Sequence, residues 1–169
     1  MRRIEDLENR SKRNNIVIWG VEEGSEGAYT SMEEFISVAI FQGLMNLERE
    51  VEVMRAHRTN VKQDANNPPK PRPIHVSVSF EIHRYGVFIL KSAVSKLKDI
   101  KYKNMQLFIS DDVSRAVHKE RAKSRKDYLP AVKGKTNVQF AFIPWSVPAQ
   151  VLYKEDLTEK LKSFVLPKE

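Results

Sequence analysis

Residues 2–21, RRIEDLENRSKRNNIVIWGV, hold a change of structure. Residues 2–13 are charged, rich in helix formers and free of Pro and Gly. Ile4 and Leu7 stand three apart, as the last apolar pair of a helical seam would. The next seam positions, Ser11 and Asn14, are polar, and Asn14-Asn15 breaks the pattern. Ile16-Val-Ile-Trp-Gly-Val21 is a compact run rich in β-branched residues, which predicts a buried strand. A helix therefore feeds directly into the first strand of an α/β unit. So short a helix is marginal alone in water and reads as the tail of a longer coiled coil.

The chain has 169 residues and no Cys, so disulfides and thiolate ligands are excluded. Absence of Cys fits a cytosolic or nuclear setting. No apolar run approaches the roughly 20 residues of a membrane span, and no partner membrane is expected. The net charge of +7 is unevenly spread. Residues 20–54 sum to −7, residues 55–72 to +4 and residues 91–135 to +8. Clustered positive charge points to a polyanion, although Lys-rich helices can also serve only solubility.

Downstream, residues 22–29 form an acidic, Gly-containing loop. Ser31-Met-Glu-Glu34 reads as a capping box. Phe35, Ile36, Ala39, Ile40, Gly43, Leu44 and Leu47 recur at helical spacing. Val51 and Val53 suggest a second strand that fails at Arg55-Ala-His-Arg58. Residues 59–72, with three Asn and three Pro, predict a mobile loop. Ile74, Val76, Val78 and Phe80 alternate as a third strand. Val87, Leu90, Val94 and Leu97 mark a second helix, and Leu107 and Ile109 a fourth strand. The order β-α-β-β-α-β is the split βαβ arrangement, an α+β fold. A long helix is expected from residue 113 to Leu129, with Pro130 ending or kinking it. Val138, Phe140 and Phe142 alternate as a strand, and residues 151–153 can pair back on it. Asp156 is expected to cap a final helix carrying Leu157, Leu161 and Phe164. The divisions expected are 1–14 (helix end), 15–110 (split βαβ domain) and 111–169 (small α/β domain).

Asp6-Leu-Glu-Asn-Arg-Ser-Lys-Arg-Asn-Asn-Ile16 with Trp19-Gly20, then Arg55-Ala-His-Arg58, then Pro71-Arg-Pro-Ile-His-Val76, carry a resemblance in their order and spacing. The chain resembles, over essentially its whole length, the RNA-binding proteins encoded by the first open reading frame of LINE-type retrotransposons. The resemblance implies a trimeric coiled coil upstream, a ferredoxin-like RNA recognition motif domain and a C-terminal nucleic-acid-binding domain. It implies packaging of retrotransposon RNA into a ribonucleoprotein, nucleic-acid chaperoning and residence in cytoplasmic ribonucleoprotein particles or the nucleus. It carries RNA contacts onto Arg58 and Arg121, and basic positions onto Arg10 and Arg13.

The residues add their own candidates. RNA recognition motifs stack bases on sheet aromatics. Trp19, His75 and Phe108 fall on the face that alternation leaves open, with Trp19 equally readable as core or covered and Phe108 read rather as core or covered. Arg55, Arg58 and Arg72 flank the Pro-rich loop. On the helix after the fourth strand, Arg115, Lys119 and Lys126 align with Lys123 beside them, while Arg121 lies nearer the apolar stripe. Guanidinium groups fork onto phosphate where Lys supplies a point charge. Asp111-Asp112 and His118 suggest a helix start rather than a catalytic or metal site. No HExxH, GxxxxGK[ST] or GxSxG is present. The expectation is a non-enzymatic binder of single-stranded RNA, with single-stranded DNA as a second ligand. No catalytic residue, metal, cofactor or small-molecule substrate is called for. The rival is a protein-interaction module of the same fold.

Overall fold

The computed structural model describes residues 2–12, 14–47, 51–60, 70–79, 100–144, 150–156 and 160–164. The side chains of Ile4 and Arg13, most of the Pro-rich loop and the helix expected over 87–97 lie outside the described residues. The chain divides into two compact units, Ser11–Asp112 and Met1–Arg10 with Val113–Glu169.

The first unit is α+β. β1 (Asn15–Trp19), β2 (Val53–Arg58), β3 (Ile74–Val78) and β6 (Phe108–Asp111) form a four-stranded antiparallel sheet in the order β2-β3-β1-β6. A small hairpin of β4 (Lys101–Tyr102) and β5 (Met105–Gln106) precedes β6. β1 is central because both its faces are apolar enough for burial. Ile16 and Ile18 are wholly buried, and Val17 on the opposite face is nearly so. Each such side chain contributes about 1.5–3 kcal/mol by leaving water. Ile74, Val76, Val78 and Ile109 join Ile16 and Ile18 in the core.

β2 departs from the expected pattern. Arg55-Ala-His-Arg58 is strand rather than the place where the strand ends. Only Ala56 of the four must be small and buried, and β2 lies at the sheet's edge, where charged neighbours are tolerated. Glu33 accepts a hydrogen bond from the Ala56 N–H at 2.9 Å, which satisfies one donor of that edge.

Helix α2 (Met32–Phe35) starts as the capping box requires. Ser31 Oγ accepts from Glu34 N at 3.1 Å, and Glu34 reaches back to Thr30 N at 2.7 Å, one residue earlier than the standard box. The helix then widens into π turns over Ile36–Leu44. Five-residue spacing replaces the expected α spacing. Ile36, Ile40, Phe41 and Met45 are buried, whereas Gly43 is exposed. Asn46, at φ 48°, ends the segment in the left-handed conformation Asn tolerates. Phe35 packs edge-to-face on Tyr29 at 5.3 Å and Tyr102 at 5.8 Å, linking loop, helix and hairpin.

The second unit holds α1 (Arg2–Lys12) up to Arg10, α3 (Arg115–Lys123), π turns over Ser124–Tyr128, and α4 (Leu129–Lys133). Ser114, not an aspartate, caps α3, and its own N–H donates to Asn9 Oδ1 at 2.9 Å. The helical run passes Pro130 instead of ending there. Pro lacks the N–H for the usual bond and crowds the preceding turn. The widened turn absorbs this, with Leu129 N donating to Ser124 O and Ser124 Oγ to Glu120 O at 2.8 Å.

β7 (Phe140–Phe142), β8 (Val151–Lys154) and β9 (Lys162–Phe164) form an antiparallel sheet in that order. Val151 pairs back as expected, but Phe164 lies opposite Val151 in a strand, not in a final helix. The edge of β8 that β7 leaves unpaired takes up the hydrogen bonds of Lys162–Phe164. Val132, Ala141 and Val151 form this unit's buried core.

Gly20 sets the exit from β1. Its φ is +85°, and a Cβ there would stand 2.0 Å from the Gln106 carbonyl oxygen. Only glycine allows the chain to cross so close to the start of β6. Gly20→Ala is expected to lower the melting temperature by a destabilisation of at least about 1–3 kcal/mol. An unchanged thermal midpoint would show that the crossing is not tight.

Candidate nucleic-acid interface

One sheet face of the first unit carries rows of polar and aromatic side chains. Strand register sets Trp19 opposite Phe108, Val17 between His75 and Ser110, and His57 opposite His75. Trp19 is 44% exposed and Phe108 61% exposed, so neither is core. The reading of Phe108 as core or covered is thus corrected. It alternates with buried Leu107 and Ile109, so it must face outward. His57 and His75 stack at 5.8 Å with 24° between their planes. Arg55 is exposed on the same face, one row further along β2.

Asp112 anchors the His75 end of this row. It is buried and faces His75 Nδ1 at 3.4 Å, Asn15 Nδ2 at 3.3 Å and Lys12 Nζ at 3.7 Å. Burial pushes its carboxyl up, but the hydrogen bonds from His75 and Asn15 and the charge of Lys12 hold it below the ordinary value. Asp112 therefore braces the sheet face, where the sequence suggested a helix start.

Arg58 has a different occupation from the one expected. Its side chain is 5% exposed. Nε donates to Glu26 Oε1, Nη1 to the Val21 and Arg72 carbonyls, and Nη2 to the Glu22 carbonyl and Glu26 Oε2, all within 2.7–3.1 Å. That engages each of the five N–H groups a guanidinium owns. Arg72 forks onto Glu23 at 3.1 and 3.0 Å, and Lys103 meets Glu22 at 2.9 Å. The acidic loop thus holds cations of its own unit. Hydrogen bonds from Arg58 and Arg72 keep the Glu26 and Glu23 carboxyls below the ordinary glutamate value.

In the second unit, Arg115, Lys119 and Lys123 are exposed on α3, with Arg125 and Lys126 beyond them, and Arg10 is exposed on α1. The π turns displace Lys126 from the straight line that 100° per residue implies. Arg121 is only 5% exposed and lies with buried Val117, so its charge is not on that surface. The stripe position was legible, but the depth was not. Charge is divided unequally. Residues 113–169 carry twelve Lys/Arg against six Asp/Glu, and residues 1–10 balance, so this unit has net +6 and Ser11–Asp112 only +1.

Among the described residues, no three His, Asp or Glu side chains converge as metal ligands. No described helix is long and apolar enough to cross a membrane. No protein-family model matches the chain, and no curated protein matches it.

Because the Glu23 and Glu26 carboxyls are depressed in the folded state, their stabilisation is full above the ordinary value of 4.5 and is lost as pH falls through their lower folded values. Thermal stability is expected to fall on acidification below about pH 4.5. Arg58→Ala should cost about 1.5–3 kcal/mol near neutral pH and flatten that acid limb. Melting curves of both proteins across pH 3–7 check this. Parallel curves would mean the Arg58–Glu26 pair is energetically silent.

Proposed function

We propose that this protein is a sequence-tolerant, non-enzymatic binder of single-stranded RNA, built on a ferredoxin-like RNA recognition motif domain with a cationic C-terminal unit. The sheet order β2-β3-β1-β6 supports that fold, being the order a split βαβ domain adopts. The exposed Trp19–Phe108 pair carries the functional reading, because two aromatic rings facing water on neighbouring strands form a platform for unstacked bases. His75 and His57 extend the platform, and Arg55 supplies a cation on the same face. Arg10, Arg115, Lys119 and Lys123 supply phosphate contacts from the second unit. Arg58 and Arg121 are buried within their units, and Arg72 forks onto Glu23 at the surface, so these three act by supporting the acidic loop and α3.

The resemblance to the first-open-reading-frame proteins of LINE-type retrotransposons supports retrotransposon RNA as the ligand, packaged into a ribonucleoprotein with chaperoning of strand exchange. It also supports residence in cytoplasmic ribonucleoprotein particles or the nucleus, with single-stranded DNA as a second ligand. Exposed Leu7 on α1 supports a helical seam that self-associates through an upstream coiled coil, a trimer by that resemblance.

Filter binding to single-stranded RNA, duplex RNA and single-stranded DNA over a salt series tests the proposal. Single-stranded RNA should bind best, with log affinity falling linearly in log salt. Trp19→Ala and Phe108→Ala should each weaken binding by about 1–3 kcal/mol while leaving circular dichroism unchanged. Salt-independent binding, or equal affinity of all variants, would favour a protein-interaction module instead.

A further inference from the structure

We infer that Phe140 and Phe142, with Lys154, form a second base-stacking site for single-stranded nucleic acid on the outer face of the β7-β8-β9 sheet. The inference rests on the RNA-binding function proposed above and adds a site in the other unit. It starts from an inverted strand. The alternation of Val138, Phe140 and Phe142 marks the aromatic side as the one to bury. The structure buries Ala141 instead, packed with Val132 and Val151, and Phe140 is 45% exposed. A strand that hides its smallest residue and shows its largest gives up hydrophobic free energy. A ligand for the shown face accounts for that loss.

Phe140 is exposed and Phe142 beside it is partly buried. Phe140 and Phe142 stack on each other, with centroids 5.1 Å apart and planes at 23°, so a base laid on Phe140 would extend an aromatic column already begun. Register places Lys154 directly opposite Phe140 and Leu152 opposite Phe142 on the same face. An aromatic surface with a cation beside it is the combination that holds a base and its phosphate. Charge selects among occupants. The unit bearing this face has net +6, nearly all of the chain's +7, which favours a polyanion. A protein partner would need a broad apolar patch, and among the described residues the apolar part of this face is two rings and one leucine. Duplexes hide the faces of their bases, so the ligand is single-stranded.

The test compares full-length wild type, Phe140→Ala, Phe140→Trp and Lys154→Ala on a single-stranded RNA and on an abasic strand of equal length, with circular dichroism and sedimentation as controls. Phe140→Ala should weaken RNA binding about 5- to 150-fold, and Phe140→Trp should restore it. The same Ala variant should bind the abasic strand as wild type does, because no base is there to stack. Lys154→Ala should weaken both ligands and reduce the salt slope. If wild type binds RNA but Phe140→Ala binds equally well, this site is refuted and the broader function stands. Equal loss on the abasic strand refutes stacking. If wild type shows no salt-dependent RNA binding, both fall. A Phe140→Ala chain that sediments as a smaller species than wild type would show that another copy covers the face, and would also overturn the site.

Discussion

A guanidinium taken out of water must find an acceptor for every N–H, and Arg58 finds five within one unit. Three are backbone carbonyls, at Val21, Glu22 and Arg72, and two are the oxygens of Glu26. One side chain at the end of an edge strand thereby fixes the loop leaving β1 and the segment entering β3. The position of Glu23 follows, and through it the fork with Arg72. Lys103 at the hairpin tip closes the set on Glu22. Gly20 lets the loop begin where it must, because no side chain could pass the Gln106 carbonyl.

This arrangement changes what the charge pattern means. Acidic residues 20–54 and basic residues 55–72 look, in one dimension, like opposite poles. In three dimensions several of them neutralise each other, and the unit containing them ends near zero. Unbalanced charge survives in residues 113–169, where α3 shows Arg115, Lys119 and Lys123 to solvent. A net positive field is therefore a property of that unit.

Strand positions with strict alternation were legible in the sequence: Ile16/Ile18, Ile74/Val76/Val78 and Leu107/Ile109 are buried as their period demands. The capping box at Ser31 was legible because its hydrogen bonds are local. Failures came where partners are distant or the period changes. Arg55–Arg58 carries no apolar alternation, yet its pairing with β3 and the acceptors around Arg58 make it strand. π turns shift the buried set to Phe41 and Met45, which a 3.6-residue period cannot find. Phe164 joins a strand because β8 offers it an edge. Of the site, Trp19, His75 and Phe108 lie on the face that alternation marks as open, whereas the outward turn of Phe140 depended on which face its sheet packs.

Aromatic and cationic surfaces answer to different physics, and here they are unevenly distributed. The Trp19–Phe108 face belongs to a nearly neutral unit, so contacts made there gain little from counterion release and should vary weakly with salt. The α3 cations belong to a unit of net +6, and their contacts should weaken steeply as salt rises. Stacking accepts any base because every base has a π face, and phosphate contacts carry no sequence information. A protein combining the two gains affinity without gaining a code. The proposed coating of a long RNA whose sequence varies along its length would need that combination. The His57–His75 stack and the bonds of buried Asp112 to His75 and Asn15 brace the Trp19–Phe108 face from within the sheet.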